Sequence, residues 1–242
     1  MILNKCFIKN GTWTLPLFKS LKFINVRIIM EKEKSLYDVL LETLGEFSME
    51  NVESIDEDGL FTKGGVTVIS ALAGEGKTTL IQNMSKKWED DGYNFIHINF
   101  DTAPTYGKKM LNPPKNRKEI SEFLKSIQKL GSDKDIIVID SLKAFTSFVE
   151  CDIENNQDMY KIMQDLREIS IHTGVSFILI HHVYKPKNVK TMPSSFYGSR
   201  AVEEQCDSGW ILEKGEARIV KSRHGHVRDS IVQFDEMDKL LN

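Results

Sequence analysis

The stretch that most limits how this chain can fold is residues 65–80, Gly-Val-Thr-Val-Ile-Ser-Ala-Leu-Ala-Gly-Glu-Gly-Lys-Thr-Thr-Leu. Val66, Val68 and Ile69 belong to a run without the alternation of a half-exposed strand, as expected for a parallel strand covered on both faces. Gly74 and Gly76 let the backbone curl so that successive N–H groups converge, and helix-forming sequence begins near Lys77. A strand, a glycine turn and a helix N-terminus in this order make a phosphate-binding loop. The helix end offers unpaired N–H groups and a positive dipole, Lys77 a mobile charge for β- and γ-phosphates, and the Thr78 hydroxyl a ligand for Mg. The expected ligand contacts run through Ala73, Gly74, Glu75, Gly76, Lys77, Thr78 and Thr79, with ATP and Mg bound. Ala71 stands where the motif usually opens with glycine, which requires only a compatible φ at that position.

A second run, Asp135-Ile-Ile-Val-Ile-Asp140-Ser141, is apolar until it ends in a carboxylate. In a parallel sheet Asp140 then lies at the C-terminal strand edge, where the phosphate loop also opens, and can hold the Mg hydration shell opposite Thr78. Phe95–Phe100 reads as a strand that leaves Asp101 at its end. Val175–Ile180 delivers His181 and His182 to the same edge, although paired histidines there also serve as caps or water ligands and are too few for a metal site. Helices are expected from Lys77 to about Asp91, around Ile120–Leu130 with Gly131 as stop, and around Met159–Ile169 with Asn155 or Asn156 as N-cap and Gly174 as stop. A helix near Ser199–Gln205, a strand Ser208–Leu212 and a hairpin Ala217–Arg223/Ser230–Phe234 turning at Gly225 complete the pattern. The fold class is therefore α/β, a mostly parallel central sheet flanked by helices with a C-terminal antiparallel hairpin.

The 242 residues, 40% hydrophobic, can bury one substantial core. A net charge of −3 gives no global attraction to nucleic acid, so any polyanion site is a local patch. Two cationic stretches qualify: Gly107–Lys118, with Lys108, Lys109, Lys115, Arg117 and Lys118, and the loop from Pro186 to Tyr197 that follows Lys185. The three cysteines, Cys6, Cys151 and Cys206, have no metal-type spacing and suit a reducing cytoplasm. No apolar stretch approaches the roughly 20 residues of a membrane helix. Residues 1–29 are basic without an acid, read as an extension ahead of a start at Met30 or as a docking arm. Residues 30–62 carry an acidic segment in which Leu36, Val39, Leu40, Leu44 and Phe47 fall at helical spacing. That helix is expected either to pack on the core or to act as a linker that docks on a neighbouring subunit. The catalytic domain is expected over 63–242.

Five motifs together, Ala71-x4-Gly76-Lys77-Thr78, Ile139-Asp140-Ser141-Leu142, His181-His182-Val-Tyr-Lys185, Tyr197-Gly198-Ser199-Arg200-Ala201 and Lys221-Ser-Arg223-His-Gly225, resemble the RecA-fold P-loop ATPases. Within that group the likeness is to ring-forming replicative helicases of the DnaB, plasmid RepA and phage primase-helicase type. The resemblance implies a RecA-like ATPase of replication or recombination, a homo-oligomeric ring or filament with nucleotide at subunit boundaries. It assigns His182 as the polar sensor of the γ-phosphate and Asp101, one methylene shorter than the usual Glu, as the residue that polarises the attacking water. Lys221 and Arg223 match the pair that reaches a neighbour's nucleotide. Lys185, Lys187, Lys190 and Arg200 are expected to bind single-stranded DNA or RNA. The alternative within the same fold is a regulatory switch ATPase that acts on protein partners.

Overall fold

The computed structural model describes residues 8–9, 12–13, 53–101, 110–111, 116–183, 195–213 and 215–233. The chain divides into two compact units, residues 1–48 and 49–242. In the first, β1 (Ile8–Lys9) pairs antiparallel with β2 (Thr12–Trp13). The helix expected around Leu36–Phe47 lies outside the described residues, as do Lys108, Lys109, Lys115, Lys185, Lys187 and Lys190.

The second unit is built on one sheet. Its elements in chain order are β3 (Val66–Ala71), α1 (Lys77–Asp90), β4 (Asn94–Asn99), β5 (Met110–Leu111), α2 (Arg117–Leu130), β6 (Asp135–Asp140) and α3 (Leu142–Phe148). There follow α4 (Asn156–Thr173), β7 (Ser176–His182), α5 (Ala201–Gln205), β8 (Ser208–Glu213), β9 (Glu216–Ser222) and β10 (Ile231–Gln233). The strand order is β10-β9-β8-β3-β7-β6-β4-β5. From β8 through β5 every neighbour runs parallel, and β9 and β10 close the sheet as the expected antiparallel hairpin. β7 lies between β3 and β6, so the C-terminal end of β7 opens between the loop after β3 and the carboxylate at the end of β6.

Alternation along the strands divides the core by face. Val66, Val68, Ile137, Ile139, Phe177 and Leu179 pack with α2, α3 and α4 on one side. Ile69, Phe95, Ile136, Val138, Ile178 and Ile180 pack on the other with Leu80, Ile81 and Trp88 of α1. The helix ends follow their sequence signals. Asn155 caps α4 by accepting from Gln157 N and Asp158 N, and Gly174 ends it in the left-handed conformation. Asn116 caps α2 through Glu119 N, which starts that helix at Arg117, inside the stretch expected to be a cationic loop.

Three features depart from the sequence expectation. Leu60 and Phe61, assigned to the acidic segment, are buried in the core on the α1 side, where Phe61 meets Trp88 and Trp210 edge-on at 5.0 and 5.6 Å. Asp56 folds this segment locally, accepting from Ser54 Oγ, Leu60 N and Phe61 N. The unit therefore starts before residue 63. β5 adds a two-residue parallel strand beside β4 within the expected loop. The short helix α3 follows β6 directly, with Ser141 Oγ accepting from Ala144 N.

Candidate nucleotide site

The phosphate loop connects β3 to α1 at the C-terminal edge of the parallel strands. Gly74 and Gly76 hold φ of 90° and 83°, where a Cβ would be strained, whereas Ala71 has no positive φ and is buried at the end of β3. An alanine at that position therefore costs nothing in backbone conformation. α1 has no side-chain cap at its N-terminus and no acidic residue in its first turn, so its first N–H groups and its dipole face the loop unopposed. Lys77 is buried, and its ammonium donates to the Ala71 and Leu72 carbonyls at 3.1 and 3.0 Å. Burial lowers its pKa, opposed by the charges of Asp140, Glu75 and Asp101. A phosphate can take over those two carbonyl contacts with a stronger, charge-assisted one.

Thr78 Oγ1 donates to Asp140 Oδ2 at 3.2 Å across the α1–β6 gap. A hydroxyl and a carboxylate are hard oxygen ligands of the type Mg takes when phosphates fill the rest of its shell. Among the described residues no group of three or more His, Cys, Asp and Glu gathers to cage a metal by protein alone. The donor set thus fits a cation shared with a nucleotide. Asp101, exposed at the end of β4, accepts from Ser141 Oγ at 3.3 Å, and its own N–H bonds to the Asp140 carbonyl. The water-polarising candidate and the metal candidate are therefore adjacent.

The two histidines of β7 separate by face. His182, in register with Ala71, lines a small cavity with Ala71, Leu72, Ala73, Lys143, Val183 and Tyr197. Burial first, then the Lys77 charge, lowers its pKa, so it is a neutral hydrogen-bonding group at pH 7. His181 is fully buried on the other face, where Nε2 donates to the Tyr197 carbonyl at 2.7 Å, and its pKa is lowered to about 4 by burial. His182 O accepts from Tyr197 N, and Val183 bridges to Phe196, so the chain leaving β7 is pinned to the chain returning to α5. The Gly198-Ser199 motif next along the chain is held instead against the start of α4, where Ser199 N donates to the Ile153 carbonyl. A Cβ at Gly198 would come within 2.7 Å of the Ile153 carbonyl, and Ser199 Oγ donates to Asn156 Oδ1 at 2.7 Å.

Lys221 and Arg223 sit at the opposite edge, where the parallel strands begin. Arg223 Nε lies 3.1 Å from Asp207 Oδ1, which Arg167 Nε approaches at 3.7 Å, while Asp207 Oδ2 accepts from Val66 N at 2.8 Å. Lys221 donates to the Glu204 carbonyl at 2.5 Å, and Arg200 pairs with the Glu204 carboxylate at 3.1 Å on the surface of α5. Thus Lys77, Thr78, Asp101, Asp140 and His182 converge, whereas Arg200, Lys221 and Arg223 do not join them. Sequence reasoning missed His97 and Asp207. A histidine and an asparagine alternating with Phe95 on one face of an otherwise apolar strand, and an acid directly before a buried strand, are the signals that mark them.

An AAA domain family model matches residues 107–188, a span that takes in the strands of Asp140 and His182 but not the loop around Lys77. No curated protein matches the sequence. Among solved structures, an ATPase domain superposes with a TM-score of 0.55 at 13% identity over 85% of this chain and 97% of its own. A DnaB-like replicative helicase, solved for its interactions with primase, matches with 0.56 at 13% identity over 84% of this chain and 65% of its own. The RadB recombinase matches with 0.51 at 14% identity over 71% and 87%. The chain has the RecA-like P-loop fold.

Proposed function

We propose that this chain binds Mg–ATP at the C-terminal strand edge, hydrolyses it, and couples that cycle to a single-stranded nucleic acid in replication or recombination. One observation carries the reading: Lys77, Thr78, Asp140, Asp101 and His182, drawn from four separate elements, meet at one edge of a RecA-like sheet. In this reading Lys77 and the N–H groups of the 74–79 loop hold the phosphates. Thr78 and Asp140 hold Mg, which when bound neutralises charge developing on the phosphates. Asp101 accepts the proton of the attacking water. His182 hydrogen-bonds the γ-phosphate through a neutral ring, and its movement passes from the end of β7 into the cationic stretch of sequence that carries Lys185, Lys187 and Lys190. Arg223 and Lys221 act on a neighbour's nucleotide in a ring or filament. A RecA-like fold shared with a DnaB-like helicase and a recombinase supports a strand-handling role over other P-loop chemistries.

The test is ATP turnover with and without single-stranded DNA or RNA. Nucleic acid is expected to stimulate turnover and to bind with a log–log salt slope of roughly −0.7 per phosphate neutralised. Replacing Lys185, Lys187 and Lys190 together with Ala is expected to flatten that slope and spare basal turnover. If neither nucleic acid binds at low salt nor changes turnover of the assembled protein, the nucleic-acid reading is wrong and a protein-directed switch replaces it.

A further inference from the structure

The interior of β4 is largely buried, and its residues 95, 96 and 98 are apolar. His97, 1% exposed on the α1 face, interrupts that pattern. Burying an imidazole without a partner costs as much as losing a hydrogen bond outright, so its contact is informative. Nε2 lies 3.3 Å from Asp140 Oδ2, the same oxygen to which Thr78 Oγ1 donates. An ionised carboxylate only accepts, so the ring carries its proton on Nε2 and donates it. The strand register fixes the geometry. His97 sits opposite Val138 and Asn99 opposite Asp140, which places the imidazole one pleat back from the carboxylate, under it and away from solvent. With Oδ2 held from β4 and from α1, rotation of the carboxyl group is restrained.

We propose that His97 is a positioning residue for the divalent cation: it fixes the Asp140 carboxylate, and through it the Thr78 hydroxyl, in the orientation that receives Mg with the nucleotide. This rests on the Mg–ATP reading above. Partners that orient a metal ligand through a hydrogen bond typically contribute about 10–100-fold to metal affinity. His97→Leu removes the donor and keeps an apolar side chain, His97→Asn is too short to reach Oδ2, and His97→Gln restores an N–H donor at comparable reach.

The experiment measures binding of a fluorescent ATP analogue to the full chain, first in EDTA and then as Mg is titrated in, together with the melting temperature. For His97→Leu and His97→Asn the expected result is unchanged affinity in EDTA and a Mg half-saturation raised about 10–100-fold. His97→Gln is expected to return toward the parent value. A merely structural role would lower the melting temperature and both affinities together and would not be rescued by Gln. If His97→Leu fails to fold, the Asn and Gln pair carries the comparison. Parent-like Mg half-saturation in folded His97→Asn overturns the positioning role while leaving the nucleotide site intact. A parent protein whose binding is insensitive both to Mg and to Lys77→Ala overturns the site itself, and the positioning role with it.

Discussion

His181 makes stability depend on pH in a way that can be isolated. The ring is buried against Phe196 and Tyr197 and is neutral in the fold, with its pKa lowered from 6.5 to about 4. Burial is the main cause, and the charges of His182, Lys77 and Lys143 add to it against the Tyr197 carbonyl, which favours the protonated form. A base whose folded pKa lies below its unfolded value binds more protons unfolded than folded between the two values. Its contribution is therefore complete above pH 6.5 and is lost as pH falls toward 4, with a slope of about 1.4 kcal/mol per pH unit inside that window. Integrated over the shift, this one side chain removes about 3 kcal/mol, a large part of the 5–15 kcal/mol that ordinarily holds a domain together. Denaturant unfolding from pH 7 to 4.5, followed in parallel for the parent and His181→Gln, measures it. Gln keeps a donor for the Tyr197 carbonyl and cannot titrate, so the variant is expected to start less stable but to lose stability more slowly between pH 6.5 and 5. Carboxylates titrate equally in both proteins and cancel in the difference. Identical slopes for the two would refute a buried, neutral His181.

Four further substitutions address the site and its support. Lys77→Ala is expected to weaken ATP binding by about 1.5–3 kcal/mol and abolish turnover, whereas Asp101→Asn is expected to retain binding and lose the chemical step, read by equilibrium binding against single-turnover hydrolysis. Phe61→Ala is expected to cost about 3–5 kcal/mol in chemical denaturation, because the ring is fully buried between Trp88 and Trp210 and the cavity cannot collapse. Arg223→Ala subunits are expected to bind ATP but hydrolyse it poorly, and mixing them with Lys77→Ala subunits is expected to restore part of the turnover; full activity of a monomer at high dilution would count against this.

How much could be read from the sequence depended on how local each determinant is. β6 and α4 were legible to within a residue or two because a run of Ile and Val ending in Asp140, and a helical stripe closed by Asn155 and Gly174, carry their own boundaries. α3 was not, because seven residues are too short to show a period and its only marker is the Ser141 cap. The 53–62 segment reads as an acidic linker since Glu53, Asp56, Glu57 and Asp58 dominate it. Yet Asp56 spends its charge on backbone N–H groups of the same turn, which frees Leu60 and Phe61 to enter the core. The positions of the loop, Lys77 and Thr78 were legible because a motif at fixed spacing specifies them, and that of Asp140 because it ends the apolar run of β6. The His97–Asp140 and Asp207–Arg223 contacts join residues distant in the chain, and only the strand order brings them together.

The same strand order bears on how Arg223 can reach a phosphate. Asp207, which holds Arg223 and Val66 N, marks the start of β3, and the loop of Lys77 follows its end. Six residues of extended strand separate the two edges by about 20 Å, more than an arginine side chain spans. Within one subunit Arg223 therefore cannot touch a nucleotide bound at the Lys77 loop, and the ion pair to buried Asp207 keeps it at its own edge. If Arg223 contributes to hydrolysis at all, it does so on another subunit's nucleotide. Loss of turnover in Arg223→Ala with ATP binding retained would then argue for assembly from kinetics alone. Asp207→Asn separates this from simple misfolding: Asn still offers an acceptor to Val66 N but no charge to Arg223. If the pair serves only to hold the sheet edge together, the Asn variant melts lower and is not rescued by Lys77→Ala subunits. If it presents Arg223 to a neighbour, turnover of the Asn variant rises in the mixture, as it does for Arg223→Ala.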